Sequence, residues 1–146
     1  MAVMAKRKIP VVENSDLNRS LLCEILKPEY DVVEAVNGQE ALERLQRYAG
    51  NFSLILLDIV MPVMNGYEFL SAIRDNPDYS SIPVIVTTQS DGEEEEATAL
   101  SCGAADFVAK PYKQRIILHR VASIIHLRET AALVNGFNKW TCCESS

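Results

Sequence analysis

The amino-acid sequence predicts an α/β protein, a doubly wound parallel sheet with helices on both faces. Three observations carry that expectation. Five short apolar runs, each the length of one strand, alternate with amphipathic stretches of helical period. The connections are short, as in successive βα units whose crossovers keep the strands parallel. The central run, LILLD, is apolar without alternation up to its terminal aspartate, as a strand buried on both faces must be.

The strands are expected at residues 9–12, 32–35, 54–57, 84–87 and 107–109. The first helix has Leu17, Leu21 and Ile25 at four-residue spacing and ends before Pro28. The second is capped by Asn37, with Glu40 three residues on, and carries Ala41, Leu42 and Leu45. A third runs from about Tyr67 through Leu70 and Ile73. Before it, Met61, Pro62, Val63, Met64, Asn65 and Gly66 read as a rigid turn, with Pro62 fixing one backbone angle. The fourth helix covers the acidic run at residues 93–96 and continues to about Cys102, where Gly103 supplies the stop. The last carries Ile117, Val121 and Ile124 on one side.

Composition bounds the function. The 146 residues fit one domain with a real core, and mean hydropathy is near zero. No apolar run approaches the roughly 18 residues of a membrane span. The basic start MAVMAKRK has no apolar stretch after it, which argues against a signal peptide. A formal charge of −6, from 20 acidic and 14 basic residues, disfavours nucleic acid as a ligand of this domain. Cys23, Cys102, Cys142 and Cys143 lack zinc-site grouping, and His119 and His126 do not complete one. Dispersed cysteines fit a reducing, cytoplasmic setting. The acidic run at residues 93–96 reads as a solvated helix start against the positive end of the dipole, or as a mark for a basic partner.

In a doubly wound sheet, functional groups gather beyond the carboxyl ends of the strands. The polar residues follow that rule. Glu13 and Asn14 follow the first strand, Asp58 closes the third, Thr88 the fourth, and Lys110 follows the fifth ahead of Pro111. A carboxylate at the end of LILL is costly to bury unless it is paired or metal-bound.

The stretches VVENSDLNR, VVEAVNGQEAL, LILLDIVMPVMNGYEFL, IPVIVTT and GAADFVAKP, in this order and spacing, resemble the receiver domains of two-component response regulators. The resemblance covers residues 7–127. It implies the CheY-like, flavodoxin-like (βα)5 fold with strand order 2-1-3-4-5, leaving residues 128–146 as a connector helix and tail without an output domain. It also implies that Asp58 is the phosphoacceptor, taking a phosphoryl group from a sensor histidine kinase or phosphotransfer protein. Mg²⁺ would be held by Glu13, Asn14, Asp58 and the backbone carbonyl of Val60. Lys110 would contact one phosphoryl oxygen and Thr88 another, and the Lys110–Pro111 bond would be cis. Phe107 takes the place of a switch aromatic, which competes with a plain packing role. The face formed by the fourth helix, fifth strand and fifth helix would be the output surface, its partner a second copy of the domain. There the acidic run would pair with Arg115, Arg120 or Arg128. Such a chain is a regulatory domain, with self-phosphorylation and dephosphorylation as its only catalysis.

One departure matters. The family usually carries two adjacent acids where this chain has Glu13 and Asn14. An amide oxygen can coordinate Mg²⁺, but a charge is lost. Glu13, one methylene longer than aspartate, could compensate. The departure motivates a second reading, a degenerate receiver acting as a phosphorylation-independent interaction module. A nucleotide-binding or hydrolytic enzyme is disfavoured, because no glycine-rich phosphate loop follows the first strand.

Past the receiver helix, Leu127 and Leu133 could extend it as a connector, whereas Gly136 argues for a break. Trp140, Cys142 and Cys143 would then pack on the domain or hang free. The chain reads as a piece of a longer regulator, a stand-alone regulator, or a domain with an expression remnant at its end.

The departure yields a test. Two unit charges about 4 Å apart interact by ~4 kcal/mol at an effective dielectric of 20, and ~1.4 kcal/mol is tenfold in affinity. Asn14→Asp is therefore expected to tighten Mg²⁺ binding by about tenfold or more, and to lower the metal-free melting temperature through carboxylate repulsion. Thermal melts of both proteins across an Mg²⁺ series measure it. Equal affinities would mean that Glu13 already compensates.

Overall fold

The structure is a computed structural model that describes residues 6–48, 51–59, 65–88 and 93–145, excepting the side chains of 93–95 and 132–145. The chain alternates strand and helix throughout. In order come β1 (Lys8–Val12), α1 (Asp16–Leu26), β2 (Asp31–Ala35), α2 (Gly38–Arg47) and β3 (Ile55–Asp58). Then follow α3 (Gly66–Asp75), β4 (Val84–Thr88), α4 (Glu93–Ser101), β5 (Asp106–Ala109) and α5 (Gln114–Ser145). The strands form one parallel sheet in the order β2-β1-β3-β4-β5. All four residues of β3 are buried, which explains its uninterrupted apolar sequence.

Side-chain alternation divides the core in two. Val12, Ile55, Leu57, Val84 and Val86 face α2, α3 and α4, where Leu45, Phe69, Ile73 and Ala99 complete one apolar layer. Ile9, Val11, Leu56 and Ile85 face α1 and α5, packing on Leu22, Ile25, Leu26, Ile117, Val121 and Ile125. The α1 face differs from the one expected from the sequence. Leu17 is 79% exposed and Leu21 is 42% exposed, while Leu22 and Leu26 are buried. The helix carries two overlapping leucine stripes that share Ile25, and the sheet takes the one with Leu22 and Leu26. On α5, Ile125 is likewise buried where Ile124 was expected, with Ile124 only partly covered.

Local chemistry starts the helices. Ser15 caps α1 by accepting from the Asn18 N–H, and Asn37 caps α2 by accepting from the Glu40 N–H at 2.8 Å. Asn65 and Glu68 form a reciprocal capping box at α3. After α4, Gly103 takes φ +103° and lets the chain turn into β5. Most of the turn expected at residues 61–66 lies outside the described residues.

The sequence also expects Gly136 to break the last helix. The backbone instead stays helical through Ser145 in one 32-residue α5. A single glycine costs a helix only ~1 kcal/mol relative to alanine, which flanking residues can absorb. Where α5 leaves the sheet it is fastened twice. The Arg128 guanidinium donates to the carbonyls of Phe52 and Ser53, and Arg7 pairs with Glu129. Arg128 is thereby committed at the opposite end of the sheet from the strand-end residues, which overturns its expected pairing with the acidic run.

Gly66 holds β3 and α3 together. Its N–H donates to the Ile59 carbonyl at 2.9 Å, and a Cβ there would meet Ile59 Cα at 2.6 Å and the Asp58 carbonyl oxygen at 2.7 Å. Both obstacles are backbone. Gly66→Ala is expected to destabilise the fold by about 1–3 kcal/mol, although alanine is the better helix former. A denaturant melt measures it, and a variant as stable as wild type would contradict the close approach.

Candidate functional site

Three strand ends converge on one buried rim. Alternation puts Glu13, Asp58 and Thr87 on the same face of the sheet as Val11, Leu56 and Ile85, two residues upstream of each. Because β3 lies between β1 and β4, Asp58 is flanked by Glu13 on one side and Thr87 on the other. Glu13 is 1% exposed and Asp58 3% exposed, and two carboxylates so deeply buried need a cation. Lys110, on the turn after β5, supplies it. Its ammonium lies 3.1 Å from Glu13 Oε1 and 3.4 Å from Asp58 Oδ1. The Lys110–Pro111 peptide is cis, and the Lys110 N–H donates to the Thr88 carbonyl at 2.7 Å.

Glu13 is held from several directions. Its Oε2 accepts from the Ser15 N–H at 3.2 Å, and its Oε1 accepts from the Tyr112 hydroxyl at 2.9 Å. Its backbone carbonyl accepts from Arg19, which also pairs with Asp16 and Glu34. Burial alone would raise the Glu13 pKa. The side-chain contact with Asp58 and the donors Ser15, Tyr112 and Lys110 outweigh it and hold the carboxyl below its ordinary range. Tyr112 moves the other way. Burial lifts its pKa, reinforced by the charges of Glu13 and Asp58 against the opposing bond from Thr87, so it stays a protonated donor.

The sequence-derived residues are thus placed as follows. Glu13, Asp58 and Lys110 are in mutual contact. Thr88 closes β4 at the same rim and is buried, register-paired with Ala109. Asn14 is exposed at the edge, so a charge there is partly screened by solvent and worth less than the same charge in the buried rim. Phe107 is half-buried against the core layer beneath α3 and α4. Val60 lies outside the described residues. His119 and His126 are exposed on α5. Arg120 contacts both carboxylate oxygens of Asp106, at 3.0 and 3.1 Å, while the acidic-run side chains at 93–95 lie outside those described. Glu96 and Arg120 do line the same groove between α4 and α5, with Phe107, Lys113 and Ile116.

Sequence reasoning missed Tyr112 and Thr87. Tyr112 was hidden by its position beside the more conspicuous Lys110 and Pro111. For Thr87 the signal was available: strand alternation assigns it the face of Ile85, opposite to Thr88.

Could the rim hold a divalent ion? Among the described residues no group of three or more His, Cys, Asp or Glu side chains is arranged to do so. The donors present are the two carboxylates and the Asn14 amide, all hard oxygens. Mg²⁺ is commonly bound through one or two carboxylates, completed by water and substrate phosphate, so the donor set fits it.

The lowered Glu13 pKa has a consequence with a definite sign. A carboxyl more acidic in the folded chain than its ordinary 4.5 stabilises the fold above that pH, and the contribution is lost as pH falls through the folded value. In metal-free acid titrations, wild type is expected to lose stability from about pH 4.5 downward, and Glu13→Gln to lack part of that slope. Parallel curves would remove Glu13 from the acid transition.

Comparison with known proteins agrees with the geometry. The family described as "Response regulator receiver domain" matches residues 9–122. The chemotaxis protein CheY of Halobacterium salinarum is 32% identical over 123 residues, covering 84% of this chain and 98% of that protein. A probable cyclic di-GMP phosphodiesterase of Vibrio cholerae is 36% identical over 121 residues, covering 83% of this chain but 27% of its own length. The chain spans between 27% and 56% of the length of four such relatives. Among solved structures, the receiver domain of a Pseudomonas aeruginosa sensor histidine kinase superposes with a TM-score of 0.76 at 25% identity, covering 84% of this chain and 99% of that one. That structure has a magnesium ion coordinated in its active-site cleft. With the five-stranded order 2-1-3-4-5 and the Glu13–Lys110–Asp58 rim, these matches establish that the chain belongs to the CheY-like superfamily as a response regulator receiver domain.

Proposed function

We propose that this receiver accepts a phosphoryl group on Asp58 from a phosphohistidine of a sensor kinase or phosphotransfer protein. The observation that carries the reading is the buried Asp58 carboxylate at the end of β3, with the Lys110 ammonium 3.4 Å from Oδ1. A carboxylate oxygen needs no deprotonation to act as nucleophile near neutral pH. It would form a P–O bond as the P–N bond to the donor imidazole breaks, giving an acyl phosphate on Asp58 and a free histidine on the donor. Lys110 would turn from Glu13 toward a phosphoryl oxygen, and the Thr88 hydroxyl would meet another. Mg²⁺, held by Glu13, Asn14, Asp58 and the Val60 carbonyl, would supply charge neutralisation for the transferred group.

The signal would leave through the face formed by α4, β5 and α5. Phe107, on β5, packs on the core and lines the groove between α4 and α5, so an inward shift of Thr88 on the neighbouring strand can be passed to that face. A second copy of the domain is the partner this face is read to take. Because Arg120 is already paired with Asp106, Arg115 is left to meet the acidic start of α4 across such an interface.

Two measurements test the reading. Mass spectrometry after treatment with a small phosphodonor and Mg²⁺ is expected to show one added phosphoryl group, absent in Asp58→Asn. No adduct at any Mg²⁺ concentration would favour the phosphorylation-independent interaction module that the Asn14 substitution suggests. Lys110→Ala is expected to keep the circular dichroism of the fold but to lose phosphorylation-dependent dimerisation. A wild-type dimerisation response would sink the role given to Lys110, and crosslinks confined to α1 would move the output face.

A further inference from the structure

Tyr112 is the third group in contact with Glu13 and Lys110, and no reading of the rim so far gives it a task. Its side chain is 9% exposed, and its hydroxyl lies 2.9 Å from Glu13 Oε1 and 3.1 Å from the Thr87 hydroxyl. Its ring also stands 5.9 Å from the Lys110 ammonium, centroid to nitrogen. One residue therefore touches both members of the Glu13–Lys110 pair, the first through its oxygen and the second through its π face.

The direction of the hydrogen bonds follows from the donors. A tyrosine has one hydroxyl proton, and an ionised carboxylate is a stronger acceptor than a neutral hydroxyl. Tyr112 thus donates to Glu13, and Thr87 donates its own proton to the Tyr112 oxygen. The chain Thr87 to Tyr112 to Glu13 runs from β4 to β1 past the end of β3, whose last residue is Asp58. Each bond polarises the next in a setting shielded from water.

We propose that Tyr112 is a positioning residue of this receiver: its hydroxyl, backed by Thr87, fixes the Glu13 carboxylate for a divalent cation while its ring seats the Lys110 ammonium. The inference rests on the reading of the rim as a metal-assisted phosphoacceptor site. Its particular weight here comes from Asn14. With an amide in the second acidic position, Glu13 and Asp58 are the only carboxylates among the described residues of the rim. Any freedom in Glu13 then acts on half of the site's negative charge.

Tyr112→Phe isolates the hydroxyl, since it keeps the ring over Lys110 and removes one oxygen atom. Partners that orient a metal-binding carboxylate are typically worth 10–100-fold in metal affinity. Calorimetric titration with Mg²⁺ alone is expected to show binding weakened by about tenfold in Tyr112→Phe and by less in Thr87→Val. If Tyr112 acts through Glu13, adding Tyr112→Phe to Glu13→Gln weakens binding no further. A tyrosine with a merely structural role would lower the melting temperature and leave both Mg²⁺ results unmoved. Mg²⁺ affinity in Tyr112→Phe equal to wild type, additive losses in the double variant, or a wild type that binds no Mg²⁺ would each overturn the proposal. Phosphodonor labelling run in parallel separates it from the functional reading. A labelled wild type with unchanged Mg²⁺ affinity in Tyr112→Phe sinks this inference alone. An unlabelled wild type whose Mg²⁺ affinity still depends on Tyr112 sinks only the phosphoacceptor role.

Discussion

Two carboxylates taken out of water at neighbouring strand ends repel one another unless a cation stands between them, and the arrangement of the rim follows from meeting that demand. Lys110 is delivered from the far side of the sheet, beyond β5, to lie against both Glu13 and Asp58. Reaching them requires that β1, β3, β4 and β5 end at the same level, which the parallel register imposes. It also requires that the turn after β5 pass close to β4, where the Thr88 carbonyl receives the Lys110 N–H. The apolar layers beneath are what make the demand severe. Without the burial supplied by Leu56, Ile85 and the α1 and α5 side chains, both acids would be hydrated and the lysine free to wander.

The same constraint explains how the site is supported from outside. Arg19 on α1 binds the backbone carbonyl of Glu13 and two further acids, so the end of β1 cannot drift. On the other side of the rim, Gly66 brings α3 against Asp58 and Ile59 at a distance no side chain would allow. These contacts act on backbone, and they fix where the functional side chains begin. Hydrogen bonds from Ser15 and Tyr112 then fix where the Glu13 side chain ends.

Much of this was legible in the sequence, for reasons that can be stated. Continuous apolar runs identify strands buried on both faces, so β3 and β4 fall within one residue of their expected bounds. Polar residues closing those runs mark the rim, and Glu13, Asp58 and Lys110 do meet there. What was not legible depends on choices made between elements. In α1 the sequence DLNRSLLCEIL offers two leucine stripes, and only contact with the sheet selects Leu22 and Leu26 over Leu17 and Leu21. Arg120 and Arg128 both read as partners for the acidic run, yet Asp106 holds the first and the carbonyls of Phe52 and Ser53 the second, through contacts no local pattern announces. Gly136 carries a local preference for a break that its neighbours override. The Tyr112 hydroxyl bonds to a residue 99 positions away, beyond the reach of any local pattern.

The contrast between the largely enclosed Lys110 and the exposed pairs elsewhere sets how the molecule responds to ionic strength. At physiological salt the Debye length is about 8 Å, so charges in open solvent are screened and enclosed ones hardly at all. Arg7 with Glu129 and Lys27 with Glu24 are exposed and belong to the first class. Lys110, 11% exposed between acids of 1% and 4%, belongs to the second. Concentrated salt would therefore loosen the fastening of α5 at the far end of the sheet while leaving the electrostatics of the rim nearly as they are in dilute buffer. The domain is graded in this respect, with a salt-sensitive periphery around a salt-indifferent centre.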